Sequence, residues 1–575
     1  LKGVSSFDGE GNDEIGNDMS IVREVVGVNY IRDTLGLTGQ GVRGELVDDN
    51  IRTTHVDFQA NPIIFHTARA GPTDHGTNMY GTIFGTGTGD PLGTGMMPSA
   101  QGIFADQNIV ETNRYTLTQE LLSSPYFACF QSNSWGGTQT PLYTTRSAQM
   151  DDILFDFNIV ITNSMSNLGN QNARPEAWAK NIISVGAILH RNTETTADDC
   201  WCGLGSIGPA SDGRIKPDVA NYGDFVYSTW DTSDTAYGQG CCTSIATAIT
   251  SGTVGLFMQT WHAGAYGNTP GATVFDSRPK NTLVKALMVN TANQWTFNGL
   301  GQDLGRMRQG WGQPSLRNMV DTSKVLLINE SEVLAPFGSR TCNVTVNPGD
   351  EFLKATMVYS DPAATPGAAI HRINNLSLRL TAPNSSVYWG NNSLTSGNWS
   401  VAGGVEDNLN TVENVFIQNP ATGTWQVTVI ASEINEDGHV ETPNLDADFA
   451  LVVTKPGIQA PAPGFDMSWF TIDGGGETFL TGGNFEMGST TGQPDAGRLA
   501  SANFSLDGGF WGAERGPGCP GDANGDGITN GADLSVLLSQ FGSAVTPGTG
   551  ADFNDDGAVN GADLSVLLSN FGCPN

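Results

Sequence analysis

Basic residues are scarce: 27 Lys and Arg stand against 59 Asp and Glu, a formal net charge of −32 over 575 residues. So acidic a surface repels a phosphate backbone and excludes nucleic acid as a partner. It fits solubility, divalent-cation binding or life in salt water instead. Long hydrophobic runs are missing too, and no stretch is apolar for long enough to cross a bilayer as a helix. The text opens at Leu1 with neither a Met nor a signal-type segment, so it reads as processed or truncated. Zinc-type cysteine spacing is lacking. Among the 8 cysteines, Cys200-x-Cys202 and Cys241-Cys242 match no paired CxxC pattern. An even count favours disulfides and leaves their pairing open. At this length one hydrophobic core does not suffice, so several domains are expected.

Residues 1–20 are polar and rich in Gly, Asp and Asn, which predicts a loosely held arm. From Ile21 onward strand-like and helix-like segments alternate, which argues for a parallel α/β sheet. Val42 to Val47 reads as a short strand that ends at Asp48. His75 stands at a helix start in Asp74-His75-Gly76-Thr77. Asn158 to Asn163 is another strand, running into Ser164 to Gly169. Ser244 opens a long uncharged run of small and short apolar residues, the pattern of a buried helix whose first turn offers free backbone N–H groups. In such sheets ligand chemistry gathers at the carboxyl ends of strands, and Asp48, His75, Asn167 and Ser244 all fall at strand–helix junctions.

The order Asp, His, Asn, Ser, each in its local setting, resembles the subtilisin family of serine peptidases. Supporting phrases are Asp48-Asp49-Asn50-Ile51, His75-Gly76-Thr77, Asp212-Gly213-Arg214-Ile215-Lys216-Pro217-Asp218, Thr243-Ser244-Ile245-Ala246 and Gly310-Trp311-Gly312. The resemblance implies Ser244 as nucleophile, His75 as its general base, Asp48 as the carboxylate that orients the imidazole, and Asn167 as an oxyanion donor. It also implies that Ser132, Asn133, Ser134, Trp135 and Gly136 pair with an extended peptide substrate by strand addition. Several positions depart from the family's wording. Asn50 stands where Gly is usual, Met79-Tyr80 replaces a smaller pair behind His75, and Asn221-Tyr222 replaces Ala-Pro. Cys242 replaces the Gly before Thr-Ser, and Ala248 replaces a Pro one turn on. A Cβ at Cys242 is expected to crowd the elbow or change its φ. The family's geometry brings Cys200 and Cys202 near that elbow, which suggests a brace between the two cysteine pairs.

From about Val325 short alternating runs such as Leu376 to Leu380 and Thr424 to Val429 predict a β-sandwich. The text is similar to the jelly-roll domain of high-molecular-mass alkaline subtilisins, with Asp361, Glu406 and Asp407 as candidate calcium carboxylates. A Pro/Gly/Ala linker at 457–464 and a small Gly-rich β module at 465–515 follow. The tail at 516–575 repeats itself. Asp522, Asn524, Asp526 and Asp533 recur as Asp552, Asn554, Asp556 and Asp563, with Ile528 and Ala558 offering carbonyls. Oxygens at loop positions 1, 3, 5, 7 and 12, with Gly at 6, follow the EF-hand calcium rule. Each loop leads into a stripe of Leu534, Leu537, Leu538 and Phe541, or Leu564, Leu567, Leu568 and Phe571. The pair of units resembles an all-α type I dockerin, which implies Ca2+ and a cohesin-type receptor, and Cys519 and Cys573 bracket it as a staple. The combined reading is a secreted calcium-binding serine endopeptidase: a subtilisin-like parallel sheet with helices on both faces, a sandwich from 326 to 456, a β module and a docking tail. The competing reading is a structural or adhesive protein on a catalytically silent subtilisin fold.

Overall fold

The computed structural model describes residues 18–297, 304–457, 520–524, 528–547 and 549–573, with the backbone of four strands between 476 and 508. Most of the expected N-terminal arm, Cys519, Asp526 and most of the linker lie outside these residues. The chain divides into two compact units, 1–460 and 461–575.

A seven-stranded parallel sheet organises the first unit. Its strands are β1 (Arg43–Asp48), β2 (Ile64–Phe65), β3 (Gln101–Asp106), β4 (Phe130–Asn133), β5 (Val160–Ser164), β6 (Ile183–Ile188) and β7 (Val219–Tyr222), in the order β2-β3-β1-β4-β5-β6-β7. Alternate residues of one strand enter different cores. Leu46 and Phe104 join the large cluster, while Val47 and Ala105 join a smaller one on the opposite face. Helices therefore cover both faces, as parallel sheets require. Helices α1 (Asp18–Val26), α2 (Val28–Leu35), α3 (Asp74–Phe84) and α6 (Cys242–His262) contribute to the large cluster, and α4 (Gln107–Leu121) and α5 (Thr145–Asp156) line the other face. A short antiparallel pair, β8 (Val226–Thr229) and β9 (Tyr237–Gly240), leads directly into α6. Strand β1 lies mid-sheet, with β3 and β4 on opposite sides. That reversal of strand order opens a crevice beyond the carboxyl end of β1.

Two antiparallel four-stranded sheets follow, β10-β17-β12-β15 and β11-β16-β13-β14. Their ranges are β10 (Ser323–Leu334), β11 (Ser339–Val346), β12 (Phe352–Val358), β13 (Asn375–Thr381), β14 (Val387–Trp389), β15 (Val412–Gln418), β16 (Gly423–Glu433) and β17 (Ala447–Lys455). Leu353, Ala355 and Met357 of β12 face Leu376, Leu378 and Leu380 of β13 within the sandwich core. The sandwich does not stand apart. On β17, Phe449, Leu451 and Val453 enter the sandwich core while Ala450 and Val452 enter the large cluster of the parallel-sheet region. Asn290 of the helix Asn281–Thr291 seals the join, donating to Thr356 Oγ1 (3.0 Å) and accepting from Thr454 Oγ1 (2.5 Å).

The same join corrects one candidate calcium carboxylate. Asp361 is fully buried, faces Lys180 Nζ at 3.2 Å and accepts the backbone N–H groups of Ile373 and Asn374 at 2.8 Å each. It is one end of a buried ion pair. Asp407 and Glu406 are engaged elsewhere, by Asn391 and Asn410 and by Ser432.

In the second unit the backbone forms two hairpins, Gly476–Gly482 with Phe485–Thr490 and Gly497–Ser501 with Phe504–Gly508. The duplicated tail forms helices Gly531–Gln540 and Gly561–Ser569. Each opens with a reciprocal cap, Asn530 with Asp533 and Asn560 with Asp563. The apolar stripe is only partly buried. Leu537 and Leu567 are fully buried, but Leu538, Phe541, Leu568 and Phe571 are exposed, the same two offsets in both repeats.

Candidate active site

Asp48 closes β1 and is 2 % exposed. Its two carboxylate oxygens lie 2.8 and 2.9 Å from His75 Nδ1, and Oδ1 also accepts the N–H of Asp49. An ionised carboxylate can only accept, so this contact fixes the proton on Nδ1 and leaves Nε2 as the basic nitrogen. His75 reaches this position because α3 begins one residue earlier and presses its first turn onto the loop after β1. The approach depends on Gly76: a Cβ there would sit 2.1 Å from the carbonyl oxygen of Asn50. Burial works against the imidazolium, but the charge and hydrogen bond of Asp48, reinforced by Asp49 and Asp74, overcome it and raise the pKa of His75 to about 8.

Ser244 sits in the first turn of α6, the third residue after the N-cap Cys241. Its backbone N–H is among those that an α-helix leaves unpaired at its start. The side chain of Ser134 donates to its carbonyl oxygen at 3.1 Å. Among the described residues no hydrogen bond joins Ser244 Oγ to His75; such catalytic bonds are often long before substrate binds and tighten in the complex. Asn167 is exposed beyond β5, and its Oδ1 accepts from both Thr243 N (3.0 Å) and Thr243 Oγ1 (2.6 Å). Its oxygen being occupied, the amide presents N–H donors, as an oxyanion site needs. The clamp by Thr243 is the piece that reading by residue type missed. Its signal was present in the sequence as the Thr that precedes Ser244.

The elbow itself carries the expected departure. Cys242 has φ +74°, the left-handed region that favours glycine. The backbone thus keeps the turn and the side chain conforms to it. Cys242 N–H donates to Gly223 O at 2.5 Å, which helps to hold the turn. The anticipated brace does not form. Cys200 and Cys202 are disulfide-bonded to each other, and Cys241 and Cys242 are free. Asn50 has no left-handed φ, so its tolerance for that region is not called upon. Tyr80, the large residue behind His75, finds its room at β3: a Cβ on Gly102 would fall 2.1 Å from the Tyr80 hydroxyl. Ala248 is fully buried within an uninterrupted α6.

The predicted substrate strand divides in two. Ser132 and Asn133 are paired in register with β1 on one side and β5 on the other, so both edges of their backbone are taken. Ser134, Trp135 and Gly136 run past the ladder, with Ser134 and Trp135 buried and the carbonyls of Trp135 and Gly136 accepting from Asn163 (3.4 Å) and Arg174 (3.1 Å). Trp135 is stacked under the Arg114 guanidinium, 4.9 Å from its centroid.

In the tail, Asp552, Asp556 and Asp563 bring ligand oxygens within 4.8 Å of one another. Asp563 Oδ1 accepts the N–H groups of Phe553 and Asn554, and Asp533 Oδ1 those of Ala523 and Asn524. The loops are thus wound by the same carboxylates that the sequence assigned to position 12. Gly557 has φ +80°, the sharp turn required at position 6. Asp522, Asn524 and Ile528 of the first loop and Asn554 and Ala558 of the second occupy equivalent places, and Asp526 lies outside the described residues. Cys573 is disulfide-bonded.

Residues 39–312 match the subtilase family, and residues 520–571 match the dockerin type I domain. The chain carries a subtilase domain and a type I dockerin. Curated relatives include the serine protease/ABC transporter B family proteins tagA and tagD of Dictyostelium discoideum. TagA is 22% identical over 536 residues, covering 70% of this chain and 30% of the relative. TagD is 26% identical over 303 residues, covering 40% and 16%. The chain thus spans less than a third of the length of these relatives. Among solved structures, the prenylagaramide maturation protease PagA aligns with TM-score 0.41 and 16% identity over 51% of this chain and 98% of its own. The self-cleaved protease domain of PatA aligns with TM-score 0.37 and 16% identity over 49% and 97%.

Proposed function

We propose that the subtilase domain is a serine endopeptidase acting through Asp48, His75 and Ser244, carried outside the cell and docked to a receptor by its calcium-loaded tail. The observation that carries the reading is the two-oxygen grip of Asp48 on His75 Nδ1, at the switch point of the sheet and beside the first turn that bears Ser244. His75 Nε2 takes the Ser244 proton as Oγ attacks the scissile carbonyl, and Asp48 stabilises the imidazolium that forms. The oxyanion is received by the Asn167 amide and the Ser244 N–H. His75 then returns the proton to the leaving amine, and water repeats the sequence on the acyl-enzyme. Substrate lies along Ser134 to Gly136 as an added strand.

The tail's acidic loops fit calcium: hard carboxylate and carbonyl oxygens, a close three-carboxylate group in the second loop and a Gly at the turn. Asp522, Asn524, Asp526, Ile528 and Asp533 would hold one ion, and Asp552, Asn554, Asp556, Ala558 and Asp563 another. The ion would hold the loops and helices together. The exposed Leu538, Phe541, Leu568 and Phe571 would supply apolar contact to a cohesin-type receptor.

A fluorophosphonate probe tests the catalytic reading. Labelling of the calcium-loaded protein that disappears in Ser244→Ala supports it. A folded protein that takes up no label under any condition refutes it and leaves the silent structural reading.

A further inference from the structure

Two thiols with no part in the mechanism stand at the elbow. Cys241 is the N-cap of α6 and exposed, and its sulfur lies 2.7 Å from that of Cys242. Cys242 is the residue held at φ +74°, and Thr243, the next in the chain, clamps Asn167. From this geometry we infer that Cys241 and Cys242 form a vicinal dithiol site that a low-molecular-mass disulfide oxidises reversibly, and that ring closure turns down the peptidase. The inference rests on the catalytic reading for its effect on rate, though not for the bond itself.

Three physical features favour reaction here. The helix N-terminus and the nearby His75 stabilise a thiolate on Cys241, whose pKa the Cys242 hydrogen bond lowers to about 7. Exposure gives a small oxidant access. Adjacent residues have Cα atoms roughly 3 to 4 Å apart, closer than an ordinary disulfide spans, so the closed form is strained and readily reduced. The exchange balances without further reactants. The Cys241 thiolate attacks one sulfur of the disulfide RS–SR, whose S–S bond breaks and releases one thiolate. Cys242 gives up its proton to that thiolate and displaces the second RS group from Cys241. Two electrons pass from the pair to the oxidant, which leaves as two thiols. The new ring redirects the backbone at Cys241 and Cys242, and with it the Thr243 clamp and the Ser244 N–H.

The test uses the full-length, calcium-loaded protein equilibrated with glutathione redox buffers. Peptide mapping reads the Cys241–Cys242 bond, and the fluorophosphonate labelling rate reads Ser244. Expected is a bond that forms as the buffer becomes oxidising, with labelling slowed at least about tenfold, within the ~100-fold scale of one lost oxyanion donor. Dithiothreitol should restore both, and Cys241→Ser should label at a rate indifferent to the buffer. Absence of the bond at every poise overturns the inference, as does a bond that forms without slowing labelling. Absence of labelling in the fully reduced protein refutes instead the catalytic reading, because mapping still reports the bond.

Discussion

The two halves of the proposed catalytic arrangement are held by different means. Asp48 and His75 are fixed by a strand end and a helix start, and their alignment asks only that Gly76 lack a Cβ. Ser244 is presented by an elbow in which Cys242 occupies a left-handed turn and Thr243 ties the turn to Asn167. The first half follows from the sheet; the second is a local construction that a few residues can retune. Substitutions on the two sides should therefore differ in kind. Ser244→Ala should lower kcat/KM by about 10⁶-fold, the scale for loss of a triad nucleophile. Asp48→Asn, which keeps the shape but misdirects the imidazole proton, should lower kcat by about 10⁴-fold. Both are read from hydrolysis of a peptide substrate. If Asp48→Asn proved as active as the parent, the ordered half of the site would have no catalytic role.

On the elbow side, Asn167→Ala should lower kcat by about 100- to 1,000-fold with little change in KM, because the donor acts on charge that develops only in the transition state. A rise in KM at unchanged kcat would make Asn167 a substrate contact instead.

Which parts were legible in the sequence follows the same division. Strand ends, helix starts and calcium-loop spacing are local patterns, so the junction positions of Asp48, His75 and Ser244 and the repeated tail loops were legible in the text, while the roles proposed for the three came from the family resemblance. The clamp of Thr243 on Asn167 joins residues 76 positions apart, and nothing periodic announces it. The inner pairing of Ser132 and Asn133 was hidden because a strand reading does not say which edges are occupied. Asp361 looked like an exposed loop carboxylate because its partner Lys180 is 181 residues back in the chain. Exposure of four apolar residues in the tail was not legible, since helical periodicity cannot tell a stripe that packs from one left open.

The ordered half also makes a pH prediction. His75 must be neutral to accept the Ser244 proton, and the carboxylates around it favour its charged form, with a pKa of about 8. kcat/KM should therefore rise about tenfold per pH unit below that value and level off above it. Asp49→Asn removes one of those charges and should move the inflection down; a profile unmoved in this variant would mean that Asp48 alone sets it. The stability sign is the reverse of the activity sign. A raised folded pKa stabilises fully below the ordinary histidine value of 6.5, and the contribution is lost as pH rises through about 8.

The smallest effects separate the two halves most directly, because a glycine is present in one and absent from the other. Gly76→Ala introduces a Cβ 2.1 Å from the Asn50 carbonyl oxygen, a backbone atom with little freedom to retreat. It should destabilise by about 1–3 kcal/mol, as overpacking does, and it should disturb the Asp48–His75 contact. Cys242→Gly works in the opposite direction. Releasing a side chain from φ +74° gains about 1–2 kcal/mol, and the greater freedom of glycine in the unfolded chain returns about 0.4–1 kcal/mol of that. The variant should be more stable than the parent by up to about 1.6 kcal/mol, with the turn and the Thr243–Asn167 clamp unchanged. Denaturant unfolding of the full chain measures both. A Cys242→Gly protein that is clearly less stable would show that the Cys242 side chain holds the elbow by its own contacts, and the contrast between a sheet-fixed half and a strained half would fail.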